Sequence, residues 1–193
     1  MTQDEAGRRK QILQQASEYI LQNGVAELSL RPLAAALRTS PRMLLYYFTS
    51  KEQLVAEALE AIRETHEHEL LALPAKELTL AAYWSWATDP AQRPYLQLLY
   101  EVFGISVRDA VVAGHFLHRP TFAWQASLEE QVRARGLAET AAQAISAYVA
   151  ATVTGLEINL LATGDLDRVN AAFAVLEDQV GAVLTPASVP ARS

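Results

Sequence analysis

Apolar residues recur along this chain at the three- and four-residue spacing of helices, and alternating strand patterns are absent. The first run, from about Asp4 to Gln22, sets Ile12, Leu13, Ala16, Tyr19 and Ile20 on one stripe and predicts an amphipathic helix. Asn23-Gly24 ends it, glycine being the natural residue for a left-handed cap. Ser29 opens a second, short helix with Leu33, Ala34 and Leu37 facing inward. Pro32 falls in its first turn, where a missing N–H costs little, and the Ser29 hydroxyl is expected to accept from the Arg31 N–H. Ser40 opens a third helix, with Pro41 at its favoured first position and Leu44 and Phe48 on one side. Ser50-Lys51-Glu52-Gln53 has capping-box spacing and opens a fourth. That helix carries Leu54, Ala58, Leu59 and Ile62 inward to about Leu73, where Pro74 stops it.

Further helices are predicted at about 76–88, 91–107, 119–135, 138–163 and 166–184. Asp89-Pro90, Arg119-Pro120, Gly136 and Gly164-Asp165 mark the breaks, and residues 108–118 carry no clear pattern. The tail TPASVPARS is expected to be disordered. The fold class is therefore all-α, an N-terminal helix-turn-helix domain followed by a larger helical body. The last two helices carry long stripes, Ala142, Ile145, Val149, Val153, Leu156 and Leu160 on one and Val169, Phe173, Leu176, Val180 and Leu184 on the other. Two such helices from each of two copies would form a four-helix bundle about a two-fold axis. A dimer interface is expected at Ile145, Val149, Val153, Leu156, Phe173, Leu176 and Val180. The alternative is a monomer that packs these stripes against its own domain.

Composition narrows the picture. Of 193 residues, 51% are hydrophobic and 20% charged, which is ordinary for a globular protein with a core. No apolar run approaches the ~20 residues of a membrane span, and MTQDEAGRRK lacks the apolar core of a signal peptide. There is no cysteine, which excludes disulfides and thiolate metal sites. A cytoplasmic protein without a membrane partner or cofactor is expected. The net charge of −6 argues against nucleic acid until its distribution is considered. Residues 1–51 hold seven Lys/Arg against four Asp/Glu, while residues 52–193 hold nine against eighteen. A basic head on an acidic body suits DNA contact at one end.

The third helix fits a major groove, which admits one α-helix whose N-terminal side chains meet base edges. Leu44 and Phe48 hold it from behind. Thr39, Ser40 and Arg42 supply donors at its start, and Arg42 is the candidate for a bidentate contact to guanine. Pro41 and Met43 are placed to touch a thymine methyl, and Tyr46 and Tyr47 to donate to phosphates. Ser29, Arg31 and Arg38 complete the expected DNA-contacting set. Lys51 stands at a helix N-terminus, where the dipole disfavours a cation, and a phosphate there would satisfy both. Arg8, Arg9 and Lys10 are read as a solvated helix start.

This segment resembles the DNA-binding domain of the TetR (tetracycline-repressor) family over about residues 8–62. The carriers are the apolar first helix, Ser29, Ser40, the Leu44/Phe48 pair and Lys51. The family usually has Gly-Val-Ser at the turn, where this chain has Arg38-Thr39-Ser40, and Tyr and His where it has Leu45 and Tyr47. The resemblance implies a transcriptional repressor with residues 1–50 reading a palindromic operator in double-stranded DNA. It further implies that residues 51–193, including a connecting helix at 51–73, bind a small-molecule effector and form a homodimer.

Aromatic rings crowd the body, and apolar pockets with few polar groups are typical ligand sites. Tyr83, Trp84, Tyr100, Phe103, Phe116 and Trp124 are the candidate ligand rings, with His115 and Asn159 as orienting groups. Each ring has core filling as its alternative. Tyr83, Trp84 and Trp86 cannot all face one way on a helix. His115 and His118 lack a third metal ligand nearby, so no metal is expected. His66 and His68 point to different faces of a helix and are read as solvated. The chain has no nucleophile elbow, no phosphate-cradling glycine loop and no convincing carboxylate pair, so an enzyme is not expected. A helical interaction module or a small-molecule-processing enzyme without DNA binding is the alternative.

Overall fold

The computed structural model describes residues 3–72, 79–108 and 123–184, and no strand occurs among them. The helices are α1 (Gln3–Asn23), α2 (Leu30–Ala36), α3 (Pro41–Phe48), α4 (Lys51–Leu71), α5 (Leu80–Ala87), α6 (Arg93–Ser106), α7 (Ala123–Arg133), α8 (Glu139–Thr163) and α9 (Leu166–Leu184), with a 3₁₀ turn at Pro90–Gln92 before α6. The expected disordered tail and the patternless stretch from Asp109 onward lie outside the described residues.

The chain forms two compact units, one of residues 1–69 with 91–121 and one of residues 70–90 with 122–193. In the first unit Ile12, Ala16 and Ile20 of α1, Leu33 of α2, Leu44 and Phe48 of α3 and Leu54, Ala58, Leu59 and Ile62 of α4 are buried as one core. The periodicity that predicted these helices is the periodicity of that core.

Helix ends follow local chemistry. Gly24 (φ 76°) closes α1, its N–H donating to the Ile20 carbonyl at 2.8 Å. Its missing side chain matters twice, because a Cβ there would collide with the Glu101 carboxylate. Glu101, on α6, accepts from the Val25 N–H (3.0 Å) and the Ala26 N–H (2.6 Å), so its carboxylate holds the α1–α2 loop. The Ser29 hydroxyl makes no capping hydrogen bond, contrary to expectation. With Pro32 lacking an N–H, this helix start depends on the extended Ser29 backbone alone. The capping box at Ser50 is half formed. Ser50 Oγ accepts from the Gln53 N–H (3.1 Å), but the Gln53 amide donates to Glu57 instead of reaching back, and the Ser50 N–H donates to the Phe48 carbonyl (2.5 Å).

The solvated reading of His66 is corrected. Its ring stacks on Tyr95 with centroids 4.3 Å apart, and Nδ1 lies 2.8 Å from Gln92 Oε1, so it fastens α4 to the start of α6.

In the second unit α8 packs against α7 and α9. By length and composition α8 is long and apolar enough to cross a membrane, although Gln, Ser, Thr and Glu interrupt every apolar run. The Val149/Val153 stripe of this helix is buried in the protein's own core.

Candidate nucleic-acid interface

Ser40 has the extended backbone of an N-cap (φ −118°, ψ 153°), and its hydroxyl accepts from the Met43 N–H at 3.2 Å. With Pro41 at the first position, α3 begins where its sequence directs. Leu44 and Phe48 are 1% and 0% exposed, whereas Tyr46 is 64% exposed and Arg42 and Met43 are also exposed. One side of this short helix is thus clamped and the other is exposed.

The turn before α3 has the geometry that a glycine would favour. Arg38 adopts φ 52°, with the Thr39 N–H donating to Ala34 (2.9 Å) and the Arg38 N–H to Ala35 (3.1 Å). These are the paired bonds of a left-handed helix ending, so an arginine occupies the position where glycine costs least. After α3, Thr49 (φ 58°, ψ −45°) turns the chain sharply into α4. A β-branched residue at positive φ is uncommon, and here it joins α3 to α4.

The face around α3 carries Ser29, Arg31 and Arg38, all exposed, and Thr39, half-buried. Pro41 and Tyr47 are half-buried, and the Tyr47 ring meets Tyr46 edge-on at 5.1 Å. The Tyr46 hydroxyl donates to Glu5 Oε1 on α1 at 3.0 Å. That hydrogen bond and the charge of Glu5 raise the Tyr46 hydroxyl above the ordinary tyrosine pKa. Lys51 is half-buried at the start of α4, and its ammonium reaches the Leu28 carbonyl at 3.4 Å.

Arg9 is not a solvated residue of the helix start. Its Nη2 contacts both Glu57 oxygens (2.6 and 2.7 Å), its Nε donates to the Tyr47 carbonyl (3.2 Å), and its guanidinium lies 4.5 Å from the centre of the Phe48 ring. One side chain therefore ties α1 to α3 and α4. The available signal was its register, since Arg9 precedes Ile12, Ala16 and Ile20 on the buried stripe.

Residues 12–58 match the model of the bacterial regulatory proteins of the tetR family. The chain carries the N-terminal domain of the TetR family over these residues. It is a helix-turn-helix DNA-binding regulator of transcription. Among solved structures, a Rhodococcus sp. protein assigned to the TetR-family transcriptional regulators is similar at a TM-score of 0.68 and 21% identity, covering 93% of this chain and 100% of that one. The multidrug binding protein EbrR, complexed with imidazole, is similar at a TM-score of 0.50 and 23% identity, covering 100% of this chain and 96% of that one. At these identities the likeness is one of fold. No curated protein matches the chain.

The ring residues expected to bind an effector divide between the two units and residues outside the described ones. Trp84 is buried, stacked on Phe173 (4.6 Å between centroids), and its indole N–H donates to Asn170 Oδ1 (2.8 Å), so it pins α5 to α9. Tyr83 is buried and donates to Glu157 Oε1 at 2.8 Å. Glu157 is fully buried on α8, a carboxylate that sequence reasoning passed over because its neighbours on the helix are apolar. Tyr100 and Phe103, half-buried with centroids 6.1 Å apart, belong to the first unit. Asn159 is exposed, and its carbonyl accepts from the Thr163 hydroxyl. His115, Phe116 and the side chain of Trp124 lie outside the described residues.

The expected dimer face is corrected by burial. Val149, Val153, Phe173, Leu176 and Val180 are between 0% and 8% exposed within a single copy, so they form the core of the second unit, and only Ile145 and Leu156 remain half-buried. The large apolar residues that face outward are Tyr148 (50%) and Ile158 (47%) on α8, with Leu166 (42%), Val175 (56%) and Val183 (49%) on α9. Tyr148 donates to Gln179 at 2.6 Å, which brings the two outer stripes side by side.

Proposed function

We propose that this TetR-family regulator is a ligand-responsive repressor that binds a palindromic operator as a homodimer. The observation that carries the proposal is the two-sided character of α3, with Leu44 and Phe48 buried behind and Arg42, Met43 and Tyr46 exposed in front. Residues 1–50 read DNA and residues 51–193 bind the effector and dimerise. Arg42 contacts a guanine edge, Met43 and Pro41 a thymine methyl, and Ser29, Arg31, Arg38, Thr39, Ser40, Tyr46, Tyr47 and Lys51 the phosphates and base edges nearby. Two reading heads meet major grooves about 34–36 Å apart.

Dimerisation is assigned to the outward stripes of α8 and α9. They present exposed apolar side chains together with the small residues Ala151, Gly155 and Ala162, which let helices approach closely. The effector is a small apolar or aromatic molecule, supported by the ring content of the body and by the multidrug-binding neighbour of like fold. Its binding biases the heads away from the operator spacing, which releases the DNA.

Selection of the full chain against a library of random duplexes tests the reading. The enriched sequence should be an inverted repeat with its halves about one helical turn apart. Enrichment of no sequence would refute operator recognition, and enrichment of a single half-site would refute the dimer.

A further inference from the structure

Tyr46 is the most exposed of the large hydrophobic residues of α3, yet its phenol is engaged. The hydroxyl donates to Glu5 Oε1, 3.0 Å away on the first turn of α1, in a bond that spans 41 residues of sequence. A phenol has one O–H to give. If it serves a carboxylate, it cannot at the same moment serve a phosphate. The carboxylate is itself an anion beside the place where a phosphate would lie.

We propose that Glu5 is an anionic gate on the DNA-reading face: it holds the Tyr46 hydroxyl in the free protein and is displaced when a backbone phosphate takes that hydrogen bond. The proposal rests on the reading of Tyr46 as a phosphate donor. No covalent step is involved, since the proton stays on the phenol and only its acceptor changes. The consequence is selectivity. Non-specific association consists almost wholly of phosphate contacts, so an acid set among the phosphate donors weakens it proportionally more than operator binding, which has base contacts in addition. A basic head with this acid in its face is better protected from the excess of random DNA than the same head without it.

The test uses a fluorescent random-sequence duplex titrated with the full chain at several salt concentrations. Wild type, Glu5→Ala, Glu5→Gln, Tyr46→Phe and the Glu5→Ala/Tyr46→Phe double variant are compared, with thermal unfolding to verify each fold. Glu5→Ala should bind several-fold tighter than wild type, and its slope of log affinity against log salt should steepen by about 0.9, one added unit of positive charge. Glu5→Gln, which keeps an acceptor but loses the charge, should fall between them. Tyr46→Phe should cost more affinity in the Glu5→Ala background than in wild type, because only there is the hydroxyl free beforehand. Unchanged or weaker binding by folded Glu5→Ala, or an equal cost of Tyr46→Phe in both backgrounds, overturns the gate. A wild type with no salt-dependent binding to the duplex would instead overturn the DNA reading beneath it.

Discussion

Arg42 and Phe48 lie on opposite sides of one short helix, and their substitutions should fail in different ways. Arg42→Ala removes an exposed cation, so the unfolding midpoint should stay put while operator binding loses about 1–3 kcal/mol and base preference relaxes at one position. Phe48→Ala empties a fully buried site and should cost about 3–5 kcal/mol of folding stability in urea, with DNA binding lost as the head unfolds. Arg38 tests the turn. Arg38→Gly relieves a left-handed conformation and should stabilise the head by about 1 kcal/mol, while removal of its charge lowers the salt slope of DNA binding. The single-residue features legible in the sequence were those whose partners are close along the chain, such as Ser40 with the Met43 N–H or Gly24 with Ile20. Arg9 was not legible as a clamp, because Tyr47 and Glu57 lie 38 and 48 residues away.

The three-helix head depends on how α1, α3 and α4 are joined, and Arg9 is the polar part of that joint. Arg9→Lys keeps the charge and a nitrogen able to meet Glu57, but it has no second nitrogen to donate to the Tyr47 carbonyl at the same time and no planar guanidinium to lie over Phe48. With both groups about three-tenths exposed, the loss should be modest, about 1 kcal/mol in chemical denaturation. A wild-type midpoint for Arg9→Lys would show that the guanidinium geometry contributes nothing. The helices themselves were legible because proline, glycine and hydroxyl caps are local signals. The start of α5 was placed too early, since the Thr79 hydroxyl, which accepts from the Ala82 N–H at 3.1 Å, is the cap that sets it. The stripes of α8 and α9 were also legible, but a 3.6-residue period states only that a face is covered. Whether Val153 and Phe173 are covered by their own chain or by a second copy depends on tertiary packing, and their own chain covers them.

Two copies joined through the outer faces of α8 and α9 would bring two basic heads to one DNA molecule. Ile158→Asp places a charge on the exposed face and should yield a folded monomer in sedimentation, with its helical circular dichroism intact. Val153→Asp buries that charge in the second unit and should unfold it instead. An Ile158→Asp protein that remains dimeric would place the interface elsewhere. The match to the family model lies wholly in the head, at residues 12–58. In the body Trp84 and Tyr83 are buried in contacts with α9 and α8, and the remaining ring candidates divide between the other unit and undescribed residues. Whether α3 reads sequence can be decided by titrating wild type and Arg42→Ala against the selected duplex and against variants with each base pair of one half-site changed. Wild type should lose affinity at the contacted pairs, and Arg42→Ala should lose discrimination at one of them. A wild type that binds the selected, altered and random duplexes alike would contradict a reading helix at residues 41–48.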